Sequence, residues 1–119
     1  THACANALTA RHGTAHGAAI AVMLGHVVRW NATHVGERYA ELLRASGREV
    51  RGEAAALQLA ARLEELARIG GLPTSLRELG VPRSSFAPMA AEAATQWTGK
   101  YNPRPFDAAA AVELYERAY

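Results

Sequence analysis

The chain has almost no cysteine and no long apolar run, and each shortage excludes a class of protein. Cys4 is the only cysteine among 119 residues, so a secreted scaffold held by internal disulfides is excluded. The longest strongly apolar stretch, residues 18–24, falls far short of the ~20 residues that cross a bilayer, so no membrane span is expected. No basic leader precedes an apolar run, and the expected compartment is therefore the cytoplasm.

An excess of charge of one sign is also missing. Thirteen Lys and Arg oppose eleven Asp and Glu, a net charge of +2, which is too small for a basic nucleic-acid-binding surface. Acidic residues do not occur before Glu37, so a carboxylate ligand for any site near the start must come from elsewhere. The chain begins at Thr1, without Met and directly in His-, Cys- and Asn-containing sequence. We therefore expect it to be part of a longer polypeptide.

Strand patterns are scarce, whereas helical patterns cover most of the chain. Half of the residues are hydrophobic and no linker divides them, which predicts one domain over residues 1–119. The predicted fold class is all-α, a bundle of six or seven helices. Periodicity, glycines and capping residues place these helices at residues 1–10, 14–30, 33–46, 53–69, 74–79, 84–97 and 107–119.

Details within this pattern make further predictions. The second helix, with Thr14 as its N-cap, is apolar on nearly every face and should lie in the centre of the bundle. Glu64 and Arg68 are spaced to pair along one helix. Asp107 should cap the last helix, and the loop before it holds Arg104, expected either in a structural salt bridge or near an acidic substrate or phosphate. Both tryptophans, Trp30 and Trp97, are expected in the core.

Histidines are concentrated near the start: His2, His12 and His16 are three of the five. His12 and His16 have the spacing of a helical metal site, but Gly13 and Thr14 between them predict a turn. His2 and His16 are a better pair. A helix that starts at His2 advances ~12 Å, and the five residues after it, if extended, are long enough to bring the chain back to where the helix began. Two imidazoles are too few for a catalytic metal, and Cys4 as a third ligand competes with an ordinary buried cysteine.

The residues around this pair resemble the iron-containing (group III) alcohol dehydrogenases. The first matching feature is a His with a second His fourteen residues after it, the second His being directly followed by Gly. The next is an apolar helix that ends near an aromatic residue and Asn. Weaker likenesses are residues 39–42, the turn at residues 71–76 and the sequence at residues 102–105. The resemblance extends over essentially the whole chain.

The resemblance implies a two-domain enzyme of the dehydroquinate synthase-like fold. Residues 1–119 would form its C-terminal all-helical domain, with an N-terminal NAD- or NADP-binding domain absent from this chain. It implies Fe²⁺, or Zn²⁺, bound by one Asp and three His, of which His2 and His16 are two. The implied reaction moves a hydride between an alcohol, or its aldehyde or ketone, and the nicotinamide. A homo-oligomer is also expected, and the isolated chain should be inactive.

One position departs from the family pattern. Several members carry a His near substrate and nicotinamide four residues after the first motif His, where this chain has Asn6. An amide can hydrogen-bond a hydroxyl but cannot titrate near neutral pH, so a proton relay would need a substitute such as His12, for which a solvent-facing position in the turn is the alternative. Two other functions are open: a helical ligand-binding or dimerisation domain without catalysis, and an independent metal site of His2, Cys4, His12 and His16.

Overall fold

The computed structural model describes all 119 residues, and it confirms the all-α prediction. Six α-helices and two short 3-10 helices occur, and there is no strand. No helix has the length and apolar character needed to span a membrane. The α-helices are α1 (His2–His12), α2 (His16–Trp30), α3 (Ala32–Ala45), α4 (Gly52–Ile69), α5 (Phe86–Thr95) and α6 (Ala108–Arg117), and the 3-10 helices are Arg83–Ser85 and Trp97–Tyr101.

Helix α2 lies between two groups of helices, as its apolar surface predicts. On one side, residues such as Val22 and Met23 belong to a core of twenty buried residues that also includes α1, α5 and α6. On the other side, Val28 packs against Ala56 and Ala60 of α4. A helix with neighbours on both sides needs apolar residues around most of its circumference, which explains its composition.

A tight turn reverses the chain between α1 and α2. Gly13 ends α1 in the left-handed conformation, with a φ of 63°, and its N–H donates to the Thr9 carbonyl. The N-cap of α2 is Ala15, without a side-chain hydrogen bond, so the predicted Thr14 cap is wrong. The Thr14 hydroxyl is instead buried without a partner. The turn returns the start of α2 toward the start of α1.

Residues 74–79 form turns rather than the predicted short helix. The Glu78 carboxylate accepts from the Thr74 N–H at 2.8 Å, and the Glu78 N–H donates to the Ser75 hydroxyl at 3.2 Å. Leu76 is fully buried, and its N–H donates to the Ala118 carbonyl at 2.8 Å. Because the Leu76 N–H is bonded to Ala118 and not within a helix, residues 74–79 form a turn that packs against the end of α6.

The predicted Glu64–Arg68 pair is replaced by a pair between helices. Both oxygens of Glu64 accept from the guanidinium of Arg29 on α2, one of them at 2.7 Å. Hydrogen bonding to Arg29 lowers the pKa of Glu64. Gly25 makes room for this pair, since a Cβ there would lie 2.6 Å from a Glu64 oxygen. The predicted Asp107 cap is confirmed, because its carboxylate accepts from the Ala110 N–H at 2.8 Å.

Candidate metal centre

The structure brings His2 and His16 together. Each is the first residue of its helix, His2 of α1 and His16 of α2, and the turn at Gly13 lies between the two helices. The ring centroids are 5.6 Å apart and the ring planes are inclined by 47°. Both side chains are exposed, so an ion or substrate can reach them.

This spacing fits two imidazoles sharing one ion. A metal–nitrogen bond of about 2.1 Å puts the metal roughly 3 Å from the ring centre, so two rings on one ion have centroids about 5 Å apart. The chain itself offers no complete site, since no group of three or more His, Cys, Asp or Glu residues is placed to bind a metal. The pair therefore has the donors for half of a four-ligand site.

A contact with Thr9 distinguishes the two nitrogens of His16. The Thr9 hydroxyl, one turn before the end of α1, lies 3.4 Å from Nδ1 of His16. This contact engages Nδ1, so Nε2 is the nitrogen of His16 that can bind an ion.

Cys4 and His12, two residues of the proposed independent site, do not join this pair. Cys4 is 1% exposed, and burial raises the pKa of its thiol to about 11, which disfavours the thiolate that a metal requires. His12 is the half-buried last residue of α1, and its Nε2 is buried without a partner. The expected solvent-facing position of His12 is therefore wrong for that nitrogen.

Asn6 lies one helical turn after His2, on the same side of α1. Its Nδ2 donates to Oε1 of Gln96 at 3.0 Å, a contact that the sequence prediction missed. The two residues are ninety positions apart, and Gln96 stands in no recognisable motif, so no local signal identifies it. The bond leaves the Asn6 Oδ1 atom free to accept from a hydroxyl.

Trp97, expected in the core, is instead 66% exposed. It follows Gln96 and begins a 3-10 helix, in which its ring meets Tyr101 edge to face with centroids 6.0 Å apart. The backbone turns out of α5 at Gln96, which is extended, and this carries the indole away from the core. Trp30 is buried, as predicted.

Arg104 is held in a structural contact. Its Nη1 donates to the Trp30 carbonyl at 3.0 Å, and its guanidinium carbon lies 3.9 Å from the centre of the Trp30 ring. The contact is structural, but the predicted salt bridge is replaced by a hydrogen bond to a carbonyl and a cation–π contact.

The fold is an all-helical domain on which the imidazoles of His2 and His16 lie close together. The model for the "Fe-containing alcohol dehydrogenase family, C-terminal" matches residues 1–119. The chain belongs to this family of oxidoreductases, as its C-terminal domain.

Named relatives agree with this assignment. The chain is 35% identical to lactaldehyde reductase of Escherichia coli K12 over 99% of its own length, and 30% identical to 1,3-propanediol dehydrogenase of Citrobacter freundii. The structure is similar to a solved 1,3-propanediol oxidoreductase, with a TM-score of 0.91 at 30% identity, and to an alcohol dehydrogenase from Oenococcus oeni, with a TM-score of 0.93 at 27% identity. Each of these two matches covers 99% of this chain. The chain spans about a third, 31–32%, of the length of these four proteins.

Proposed function

We propose that this chain supplies His2 and His16 to the metal centre of a longer NAD(P)-dependent alcohol dehydrogenase. The observation that supports the proposal most is the pair of rings 5.6 Å apart, each at the first residue of a helix. The family match and the absence of further ligands in the chain fit a site completed by residues outside it.

In this proposal the chain binds and orients, and the rest of the polypeptide completes the site. A bound Fe²⁺, or Zn²⁺, would polarise a substrate oxygen while hydride passes to or from NAD or NADP held by an N-terminal domain. His2 and His16 hold the ion, and Asn6 Oδ1 accepts from the substrate hydroxyl while Gln96 fixes the amide. Burial of this face in the cleft between the domains would exclude water and strengthen the polarisation.

The proposed substrates are small alcohols and the corresponding aldehydes or ketones. Two relatives are named for such compounds, lactaldehyde and 1,3-propanediol. Asn6 cannot exchange a proton near neutral pH, so proton transfer to the substrate oxygen would use another group or solvent. The partners proposed for this chain are the N-terminal domain of the same polypeptide and further copies in a homo-oligomer.

The test is metal content in the full-length protein. His2→Ala and His16→Ala should each lose most of the bound metal and most of the alcohol-dependent NAD(P)H formation. His34→Ala is the matched control, because His34 is also exposed but lies on α3, and it should keep both. Full metal occupancy with full activity in His16→Ala would overturn the assignment.

The isolated 119-residue chain gives a second measurement. It should bind Fe²⁺ or Zn²⁺ weakly and form no NAD(P)H from alcohol, because it lacks the remaining ligands and the nicotinamide site. Tight stoichiometric binding by the isolated chain would point to an independent metal site instead. An absence of metal from both the chain and the longer protein would favour a binding or dimerisation domain.

A further inference from the structure

The 3-10 helix Trp97–Tyr101 and the residue before it lie along the first turns of α1. Gln96 Oε1 accepts from Asn6 Nδ2 at 3.0 Å, which joins the start of this segment to the second turn of α1. In the middle of the segment, a Cβ added to Gly99 would lie 3.6 Å from the Cβ of Ala3. The segment therefore runs toward the start of α1, in the direction opposite to that of the helix.

The far end of the segment reaches the residue that precedes the candidate metal ligand. Tyr101 lines the same cavity as Thr1, and Thr1 is directly followed by His2. The contacts of the segment thus begin at Asn6 and end beside His2, which are the two residues of α1 assigned to the proposed site. The segment borders that site along one side.

Two exposed aromatic rings project from this border. Trp97 is 66% exposed and Tyr101 is 79% exposed, and the two rings meet edge to face. Exposed aromatic side chains that lie together mark a binding surface, because they offer a large apolar area at little cost in conformational entropy. Trp97 directly follows Gln96, so its Cα lies about 3.8 Å from that of the residue that holds the Asn6 amide.

We infer that the Trp97 indole is the wall of the substrate site against which the carbon chain of the alcohol lies, and that it limits the length of that chain. The inference rests on the proposed function, in which Asn6 Oδ1 accepts from the substrate hydroxyl. The hydroxyl end of the substrate is then fixed beside Gln96, and its carbon atoms lie within reach of the neighbouring indole. A rigid ring at this place leaves room for a short chain and obstructs a longer one.

The length of alcohol that the full-length enzyme accepts tests this role. Trp97→Ala should raise the ratio of kcat/KM for 1-hexanol to kcat/KM for 1-propanol at least about tenfold, because even one methylene in an apolar pocket changes kcat/KM by about 10- to 200-fold. Trp97→Phe keeps a smaller ring and should give an intermediate ratio. Metal content should stay at the wild-type level in both variants. An unchanged ratio in Trp97→Ala would overturn the inference.

Leu57→Ala is the matched control for this measurement. Leu57 is also a large apolar residue, 56% exposed, but it lies on α4, which packs against α2 and α3. Its substitution should leave the ratio unchanged. An equal rise in Leu57→Ala would show a general loosening of the protein and would contradict a specific role of the indole.

Quenching of tryptophan fluorescence by acrylamide gives a second readout, which needs no turnover. The difference between the wild type and Trp97→Phe isolates the signal of Trp97 from that of the buried Trp30. Without nicotinamide, 1-propanol should reduce the quenching of Trp97 saturably, because the bound alcohol covers the ring. A Trp97 that acrylamide cannot reach even without alcohol would mean that another part of the protein covers it, and this would overturn the inference.

The metal measurement separates this inference from the proposed function. A changed length preference in Trp97→Ala, in a protein whose metal does not depend on His16, would uphold the wall and contradict the assigned ligands. Metal that depends on His16, with an unchanged length preference in Trp97→Ala, would uphold the ligands and refute the wall.

Discussion

Removal of the Arg104 side chain should destabilise the fold without affecting a ligand. Arg104 lies between Pro103 and Pro105 in the loop before α6, and its guanidinium covers the indole ring of Trp30. The same group donates to the Trp30 carbonyl at the end of α2, at 3.0 Å. Asn102 adds to this junction by donating to the Arg104 carbonyl at 2.7 Å and by pairing its amide with that of Asn31.

The cost of Arg104→Ala follows from these contacts. A hydrogen bond from a charged donor contributes about 1.5–3 kcal/mol. The cation–π contact adds about 0.5–2 kcal/mol, depending on how far it is shielded from water. The conformational entropy that ordering the Arg104 side chain costs in the wild type offsets roughly 1–2 kcal/mol of this loss. The free energy of unfolding should therefore fall by about 2 kcal/mol, which for a chain of this size lowers Tm by roughly 6–12 °C.

Urea unfolding followed by tryptophan fluorescence measures this change. Arg104→Lys keeps the charge but loses the planar stacking, so it should lie between wild type and Arg104→Ala. Lys100→Ala is the control, because Lys100 is exposed in the preceding 3-10 helix, and its effect should stay within about 0.5 kcal/mol. An Arg104→Ala midpoint equal to that of wild type would refute the structural role. Stabilisation of the wild type alone by added phosphate would favour the anion-binding alternative.

Two further predictions concern buried groups. Tyr115→Phe removes the buried hydroxyl that donates to the Cys4 carbonyl at 3.0 Å, and urea unfolding should show a loss of about 1 kcal/mol. Tyr101→Phe, at an exposed ring, should change little, and equal effects of the two variants would contradict the role of the buried bond. Burial lowers the pKa of His26, with Glu64 opposing this and Arg29 and Arg117 adding to it. The unfolded chain then binds the extra proton first, so the free energy of unfolding should decrease as the pH falls below about 6.5. His26→Gln should flatten this decrease between pH 7.5 and 5.5, and an unchanged slope would exclude His26 as its source.

The parts of the fold that follow local rules could be predicted from the sequence. Apolar periodicity located all six α-helices, and the apolar character of α2 correctly placed it between two groups of helices. Asp107 was recognised as a cap because the residue type and its bond to the third residue of the helix are both local. Gly13 was recognised as part of the turn after the first helix for the same reason, although that helix continues to His12, two residues further than predicted.

Contacts between distant residues account for the failures. Leu76 was assigned to a helix, but its N–H donates to the carbonyl of Ala118, which is distant along the chain. Glu64 was paired with a neighbour on its own helix, but Arg29 reaches it from α2 with two parallel hydrogen bonds. Such a bidentate contact is stronger than an exposed pair along one helix, and nothing in the sequence around Glu64 indicates it.

The same difference between local features and contacts of distant residues applies to the candidate site. The approach of His2 to His16 depends on one helix and one turn, so chain length alone could predict it, and the rings lie 5.6 Å apart. Gln96 reaches Asn6 only because α5 packs against α1, and Trp97 is exposed only because the chain leaves α5 in an extended conformation at Gln96. Residues contributed by one bend of the chain are thus accessible to sequence reasoning, whereas residues that orient them from another helix require the packed fold. The same distinction applies to the remaining metal ligands, which on this proposal reach His2 and His16 through packing with a segment outside the chain.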